Sequence, residues 1–276
     1  MKLRKALEKA KKSRGQEFAH PEKFTMAAAG KLPEDDWKPP QYSESVQLQL
    51  DATKLLRNRC VCVASDAPQL DAYKVLRTKI QQMTRDKGWN TVMITSAQAG
   101  EGKTLTTINL ALTFSKAYNQ TIMLVDCDLR NQNVHKILGL DSHSGLGDYL
   151  ADNVPLPELI IWPGIDKLTL ISGGRAIQNS AELLGSHRMA SLVQEMRARY
   201  SDRYILFDVA PILVGADALA MAPYVDCIVM VVEEGRTSMR DVQQAVEAIP
   251  HEKFLGFVMN RQKADTAKGY RYHYGY

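Results

Sequence analysis

At 276 residues the chain has room for one large α/β domain with extensions, or for two small domains. Its 45% hydrophobic and 24% charged residues are ordinary for a soluble globular protein, and a formal charge of +4 is too mild to argue for a nucleic-acid partner. No stretch approaches the roughly eighteen apolar residues of a membrane span, and the four cysteines (Cys60, Cys62, Cys127, Cys227) show neither C-x-x-C nor zinc-like spacing, so they read as reduced thiols of a cytoplasmic protein.

The charge is unevenly spread. Residues 1–17 hold seven Lys/Arg against two Glu, a local charge of +5, so the rest of the chain is close to neutral. Met1 to about Gly15 reads as a short basic helix with Leu3, Ala6, Leu7 and Ala10 at helical spacing. It has no following apolar core, so it does not read as a secretory signal. A solvated terminus and a weak contact with anionic lipid are both open readings. Gln16 to about Ser45, with Pro21, Pro33, Pro39 and Pro40, reads as a linker or surface-hugging arm. Val46–Val63 carries short apolar patterns that suit docking on the domain. The expected divisions are a basic arm and linker over 1–66, a central domain over 67–262 and a tail over 263–276.

Asp71 to about Lys87 is an amphipathic helix with Tyr73, Leu76, Ile80 and Met83 on one face. The strand Val92–Thr95 follows, then a turn with the spacing A-x-x-x-x-G-K-T from Ala97, then a helical pattern from Leu105 to about Tyr118. This strand–loop–helix order fits a phosphate-binding loop: slim residues let backbone N–H groups close around phosphate oxygens, and the helix N-terminus favours negative charge. Lys103 is placed to reach the β- and γ-phosphates and the Thr104 hydroxyl to ligate Mg2+. Thr121–Val125 is a strand ending in Asp126-Cys127-Asp128-Leu129-Arg130, and alternation points both carboxylates the same way. Further elements are short helical pieces within Val134–Leu150, a strand at Leu168–Ile171 and one long helix from Ala181 to about Tyr200, capped by Asn179 or Ser180. The strand Tyr204–Phe207 ends in Asp208-Val209-Ala210-Pro211. Asp226–Val232 is a strand, Thr237 or Ser238 caps a helix to about Ala248, and Phe254–Met259 is the last strand. In the tail, Tyr270, Tyr272, Tyr274 and Tyr276 alternate; an edge strand with one aromatic face, a sticky low-complexity end and a functional cluster are all compatible with that pattern.

Three strand ends thus carry phosphate-binding or acidic chemistry. Phosphoryl transfer needs positioned phosphates, a metal, a lysine and a group that orients or deprotonates the nucleophile. Lys103, Thr104, Asp126, Asp128 and Asp208 cover those needs, with Thr104, Asp126 and Asp208 as metal contacts. The residues imply ATP and Mg2+; whether water or a hydroxyl accepts the phosphate stays open at this level.

The ordered set VMITSAQAGEGKT, MLVDCDLR and ILFDVAP resembles the Walker A, A′ and B motifs of the bacterial tyrosine kinases, over roughly Asp71 to Tyr276. The resemblance implies a P-loop fold of three α/β/α layers around a mostly parallel sheet, of the partitioning-ATPase class. It implies an autokinase that phosphorylates a C-terminal tyrosine cluster in trans, here Tyr270, Tyr272, Tyr274 and Tyr276, and regulates exopolysaccharide synthesis or export. The loop Ala99, Gly100, Glu101, Gly102, Lys103, Thr104 and Leu105 would hold the phosphates. Asn260 and Arg261 would lie at the adenine, and Asp126 would contact Mg2+ and orient or deprotonate the incoming tyrosine, assisted by Asp128. The family's oligomerisation helix carries E-x-x-R-x-x-R, and Asp71, Lys74 and Arg77 hold that register as D-x-x-K-x-x-R. Implied partners are further copies in a ring, an octamer by family resemblance, a separate membrane co-polymerase or activator that recruits the chain to the inner face of the inner membrane, and a cognate phosphatase. The N-terminal layout most resembles the subtype linked to exosortase systems.

Ala99 stands where the family usually has Pro, and Gln98 stands where partitioning-type ATPases place a second lysine. A positioning ATPase and a nucleotide-dependent scaffold are the alternative readings. The missing lysine and the tail tyrosines speak against the first, and intact Lys103, Asp126 and Asp208 against the second.

Overall fold

The computed structural model describes residues 45–141, 144–199 and 202–262. The basic N-terminal helix, most of the linker and the tyrosine-rich tail lie outside the described residues. The first described elements are a two-residue strand β1 (Val46–Gln47) and a helix α1 (Ala52–Arg57), whose N-cap Asp51 accepts from the backbone N–H of Thr53 at 2.8 Å. Helix α2 (Leu70–Thr84) leads through a short 3-10 turn to β2 (Thr91–Ser96), and α3 (Lys103–Ser115) follows the phosphate loop. Then come β3 (Thr121–Asp126), α4 (Val134–Leu138), α5 (Leu146–Asp152), β4 (Ile160–Trp162) and β5 (Leu168–Ile171). The chain continues through α6 (Ser180–Leu184), α7 (His187–Arg199), β6 (Arg203–Asp208), α8 (Asp217–Met221), β7 (Cys227–Glu233), α9 (Met239–Glu247) and β8 (Phe254–Asn260).

The strands form one sheet in the order β1-β4-β5-β3-β6-β2-β7-β8, parallel throughout except where β4 meets β5. Apolar strands of this kind must be covered on both faces, and they are. Met93, Ile205, Phe207, Ile228 and Met230 enter a core with α6, α7 and α8, while Val92, Ile94, Leu206, Val229 and Val231 enter a second core with α1, α2 and α3. Alternate residues of the same strand thus serve opposite layers. The chain is a P-loop α/β protein with a mostly parallel central sheet, as expected.

Several local expectations need correcting. The long helix expected over 181–200 is two helices, broken at Gly185-Ser186. Glycine is a poor helix former, and Ser186 restarts the chain by accepting from the backbone N–H of Met189 at 3.2 Å. The break lets the Gly185 carbonyl accept from the Tyr224 hydroxyl at 2.7 Å. Asn179 stands at the N-cap position of α6 without a side-chain cap bond, and the Ser180 hydroxyl donates to Asp217. Ser238 does cap, accepting from the backbone N–H of Asp241 at 3.0 Å. Met83, placed on the apolar face of the first long helix, is half exposed. The antiparallel strand β4 and the two-residue β1 were not expected: each is too short to show a period.

The stretch Val46–Val63 docks on the domain, as its short apolar patterns suit. Leu55, Cys60 and Cys62 are buried, and the Asn109 side chain of α3 fastens them, accepting from the backbone N–H of Cys62 at 3.0 Å and donating to the Arg59 carbonyl at 3.1 Å. The segment also reaches α4, where Asn58 donates to the Ile137 carbonyl at 2.7 Å. Leu55→Ala should therefore destabilise the whole domain by about 2–5 kcal/mol, read as a lower urea midpoint with unchanged slope. A variant as stable as the parent would show that the segment is only draped on the surface.

Candidate nucleotide site

The site forms at the carboxyl ends of β2, β3 and β6, the central strands, where parallel sheets offer their loops to ligands. Asp126 and Asp208 are register partners at the ends of adjacent strands. Both are fully buried, and Asp208 meets Lys103, Thr104 and Thr107 at the start of α3. The backbone turns into the loop through Gly100 (φ 84°) and Gly102 (φ 90°), a left-handed geometry that glycine adopts cheaply. A cleft of about 230 Å³ opens beside it, lined by Gly100, Lys103, Thr104, Asp128, Asn131 and Pro211 among others.

Lys103 is the centre of the charge arrangement. Its ammonium lies 2.8 Å from Asp128 Oδ2 and 3.6 Å from Asp208 Oδ2. Burial works against that cation, but the carboxylates of Asp208 and Asp128 outweigh it and hold the ammonium more firmly protonated than a free lysine. Thr104 Oγ1 donates to Asp208 Oδ2 at 2.7 Å, and Thr107 Oγ1 donates to Asp208 Oδ1 at 3.3 Å. Asp126 accepts from two backbone N–H groups, Asp128 at 3.2 Å and Val134 at 3.1 Å. Its carboxyl is nevertheless pushed up to about 8, first by burial and next by the neighbouring charge of Asp208, which the Val134 hydrogen bond and Lys103 only partly offset. Burial likewise raises Asp208, against the opposing pull of Lys103.

Asp128 stands two residues past β3, and its side chain takes the closest contact with Lys103. Ala99 and Leu105 join the cleft wall. Glu101 is almost wholly buried, with its carboxylate turned away from the cleft into the loop itself. Asn260 donates to the Glu101 carbonyl at 2.8 Å, and Arg261 pairs with Glu233 at 2.8 Å, so both sit beside the loop at the β7–β8 side. The tail tyrosines lie outside the described residues. Asp71 and Lys74 pair with each other at 2.9 Å on exposed α2, while Arg77 turns inward and donates to the Thr113 carbonyl at 2.7 Å. Thr107, Asn131 and Asn133 were missed. Thr107 lies one helical turn from Lys103, a spacing that would have pointed to it; the two asparagines carry no signal in sequence.

The oxygen-only set Thr104, Asp126 and Asp208 suits a hard cation such as Mg2+. Among the described residues no group of three His, Cys, Asp or Glu side chains is placed to hold a metal alone. The hydroxyl of Thr104 against Asp208 fits a cation that takes its remaining ligands from phosphate and water.

The CobQ/CobB/MinD/ParA nucleotide binding domain matches residues 92–272. The chain is 31% identical to the tyrosine-protein kinase YwqD of Bacillus subtilis over 223 residues, covering 80% of this chain and 93% of that protein. The chain belongs to the bacterial tyrosine kinases. It is 30% identical to EpsB of Ralstonia solanacearum over 76% of this chain and 28% of that longer protein. Among solved structures the kinase domain of VpsO superposes with a TM-score of 0.63 at 27% identity, covering 76% of this chain and 98% of that one. This kinase therefore has the nucleotide-binding fold of its relatives, and Lys103 and Asp128 line the cleft beside its phosphate loop.

Two outcomes follow from the geometry. A raised carboxyl stabilises the fold fully below its unfolded value near 4 and loses that contribution as pH rises through the folded value. The melting temperature of the nucleotide-free protein should thus fall between pH 6 and 8, and Asp126→Asn should flatten that slope; parallel slopes would count against the assignment. At Gly102 an added Cβ would overlap the Asn260 amide nitrogen and force a side chain into left-handed backbone. Gly102→Ala should weaken ATP binding at least about tenfold in calorimetry, and full retention would mean that the loop refolds freely.

Proposed function

We propose that this kinase transfers the γ-phosphate of ATP to the tyrosines of the C-terminal cluster on a neighbouring copy. The observation that carries the reading is the Lys103 ammonium held between Asp128 and Asp208 at the phosphate loop, with Thr104 hydrogen-bonded to Asp208. On nucleotide binding, Lys103 exchanges its carboxylate partners for β- and γ-phosphate oxygens. Thr104, Asp208 and Asp126 would hold Mg2+, which neutralises charge on the transferring group. Asp126 orients the tyrosine hydroxyl and takes its proton. The phenolic oxygen bonds to the γ-phosphorus, the bond to the β–γ bridging oxygen breaks, and ADP leaves. Asp128, released from Lys103, would support the metal shell, and Asn260 and Arg261 would lie on the adenine side.

The family context extends the reading. Copies assemble in a ring through α2, with Asp71 and Lys74 available on its exposed face and Arg77 supporting the helix from within. A separate membrane co-polymerase or activator recruits the chain to the inner face of the inner membrane, a phosphatase resets the tail, and the cycle regulates exopolysaccharide export. Among the described residues no helix is long and apolar enough to cross a membrane. The basic arm, the kinase domain with residues 45–66 docked on it, and the tail over 263–276 divide the labour.

The test incubates the purified protein with ATP and Mg2+ and maps phosphate by mass spectrometry. Tyr270, Tyr272, Tyr274 and Tyr276 should be modified, and Lys103→Met should lower the rate at least about a hundredfold. A tagged Lys103→Met copy mixed with active protein should be modified on its tail, which requires transfer in trans. ADP release with unmodified tyrosines would instead make the chain an ATPase of the positioning type, and neither outcome would leave a scaffold.

A further inference from the structure

Glu101 sits at the apex of the phosphate loop, yet only 1% of it is exposed. Its carboxylate serves the protein: Oε2 accepts from the backbone N–H of Gln98 at 3.0 Å, and Oε1 accepts from the Thr237 hydroxyl. Thr237 is itself fixed, since its oxygen accepts from the backbone N–H of Glu233 at 2.8 Å, and Glu233 ends β7. From the other side Asn260, at the end of β8, donates to the Glu101 carbonyl at 2.8 Å. Glu233 pairs with Arg261 at 2.8 Å and Arg236 at 3.1 Å, and the Arg236 guanidinium lies against Gly100, where an added Cβ would stand 3.3 Å from it. The loop is therefore tied to the far strand ends by a buried carboxylate and a hydroxyl, not left as a free Gly-containing turn.

Resting on the ATP-dependent reading above, we propose that the Glu101–Thr237 hydrogen bond sets the conformation of the phosphate loop, so that Thr237 is a positioning residue for nucleotide binding that touches no part of the nucleotide. A buried carboxylate that loses a donor keeps its desolvation cost, so the cheapest response is for Glu101 to swing outward. That swing would free the Gln98 N–H and change the angles of Gly100 and Gly102, on which the phosphate N–H cradle depends. The effect is on the phosphate-binding element, so it must be the same whether or not a base is attached.

The experiment uses Thr237→Val, which keeps the shape and removes the donor, and Thr237→Ser, which keeps the donor. Affinities for ATP and for inorganic tripolyphosphate, each with Mg2+, are measured by calorimetry in the full chain. Thr237→Val should weaken both ligands by the same factor, at least about tenfold, raise the KM for ATP in step with the loss, and leave the kcat for tail phosphorylation within about twofold. Thr237→Ser should restore both affinities. Loss of ATP affinity with unchanged tripolyphosphate binding would make Thr237 a base contact and overturn the proposal, as would parent-like affinities in Thr237→Val. A fall in melting temperature shared by the Val and Ser variants, with affinity following it, would reduce Thr237 to a purely structural residue and also overturn it. Failure of the unmodified protein to bind ATP at all would strike the ATP-dependent reading first, and is told apart by that control.

Discussion

A lysine ammonium buried at the end of a parallel sheet is the constraint on which this molecule turns. An isolated cation in that environment would be unstable by several kcal/mol, so Lys103 demands negative partners, and the fold supplies Asp128, Asp208 and, slightly further off, Asp126. The carboxylates are equally dependent on it. Asp126 and Asp208 are register neighbours on adjacent strands, and without an intervening positive charge they would repel at close range in a dry site. The arrangement is thus one mutually dependent cluster of a lysine and three carboxylates.

That balance sets requirements on the rest of the chain. The central strands have to end in register, which the continuous apolar runs of β2, β3 and β6 secure by packing into both layers at once. The loop before Lys103 must hold its shape while offering N–H groups, and the Glu101 network anchors it to the β7 and β8 ends. The loop after Asp128 must stay close enough for Val134 to donate to Asp126, and α1 braces α4 through Asn58 and Lys54, whose ammonium donates to the Gly139 carbonyl at 3.0 Å. The segment before the kinase core is therefore two contacts away from the acidic cluster.

The comparison with relatives bears on how such a domain is used. The chain spans nearly all of YwqD but less than a third of EpsB, so one fold serves both as most of a short kinase and as part of a longer chain. Arg77 on α2 turns inward, and its guanidinium donates to the Thr113 carbonyl near the end of α3.

Much of this was determined by sequence alone. The strand–loop–helix pattern at Lys103, the paired acids at Asp126 and Asp128, and the strand ending in Asp208 are local in the chain, and their chemistry follows from residue type and spacing. The sheet and its two-sided burial also follow, because uninterrupted apolar runs leave no polar face. Only the tertiary structure decided which carboxylate meets Lys103, that Glu101 turns into the loop, that Thr237 and Asn260 hold it from more than a hundred residues away, and that Asn109 fastens the Arg59–Cys62 turn to α3. Those outcomes depend on which groups a folded sheet brings to the same few ångströms, a distance that no periodicity in the chain encodes.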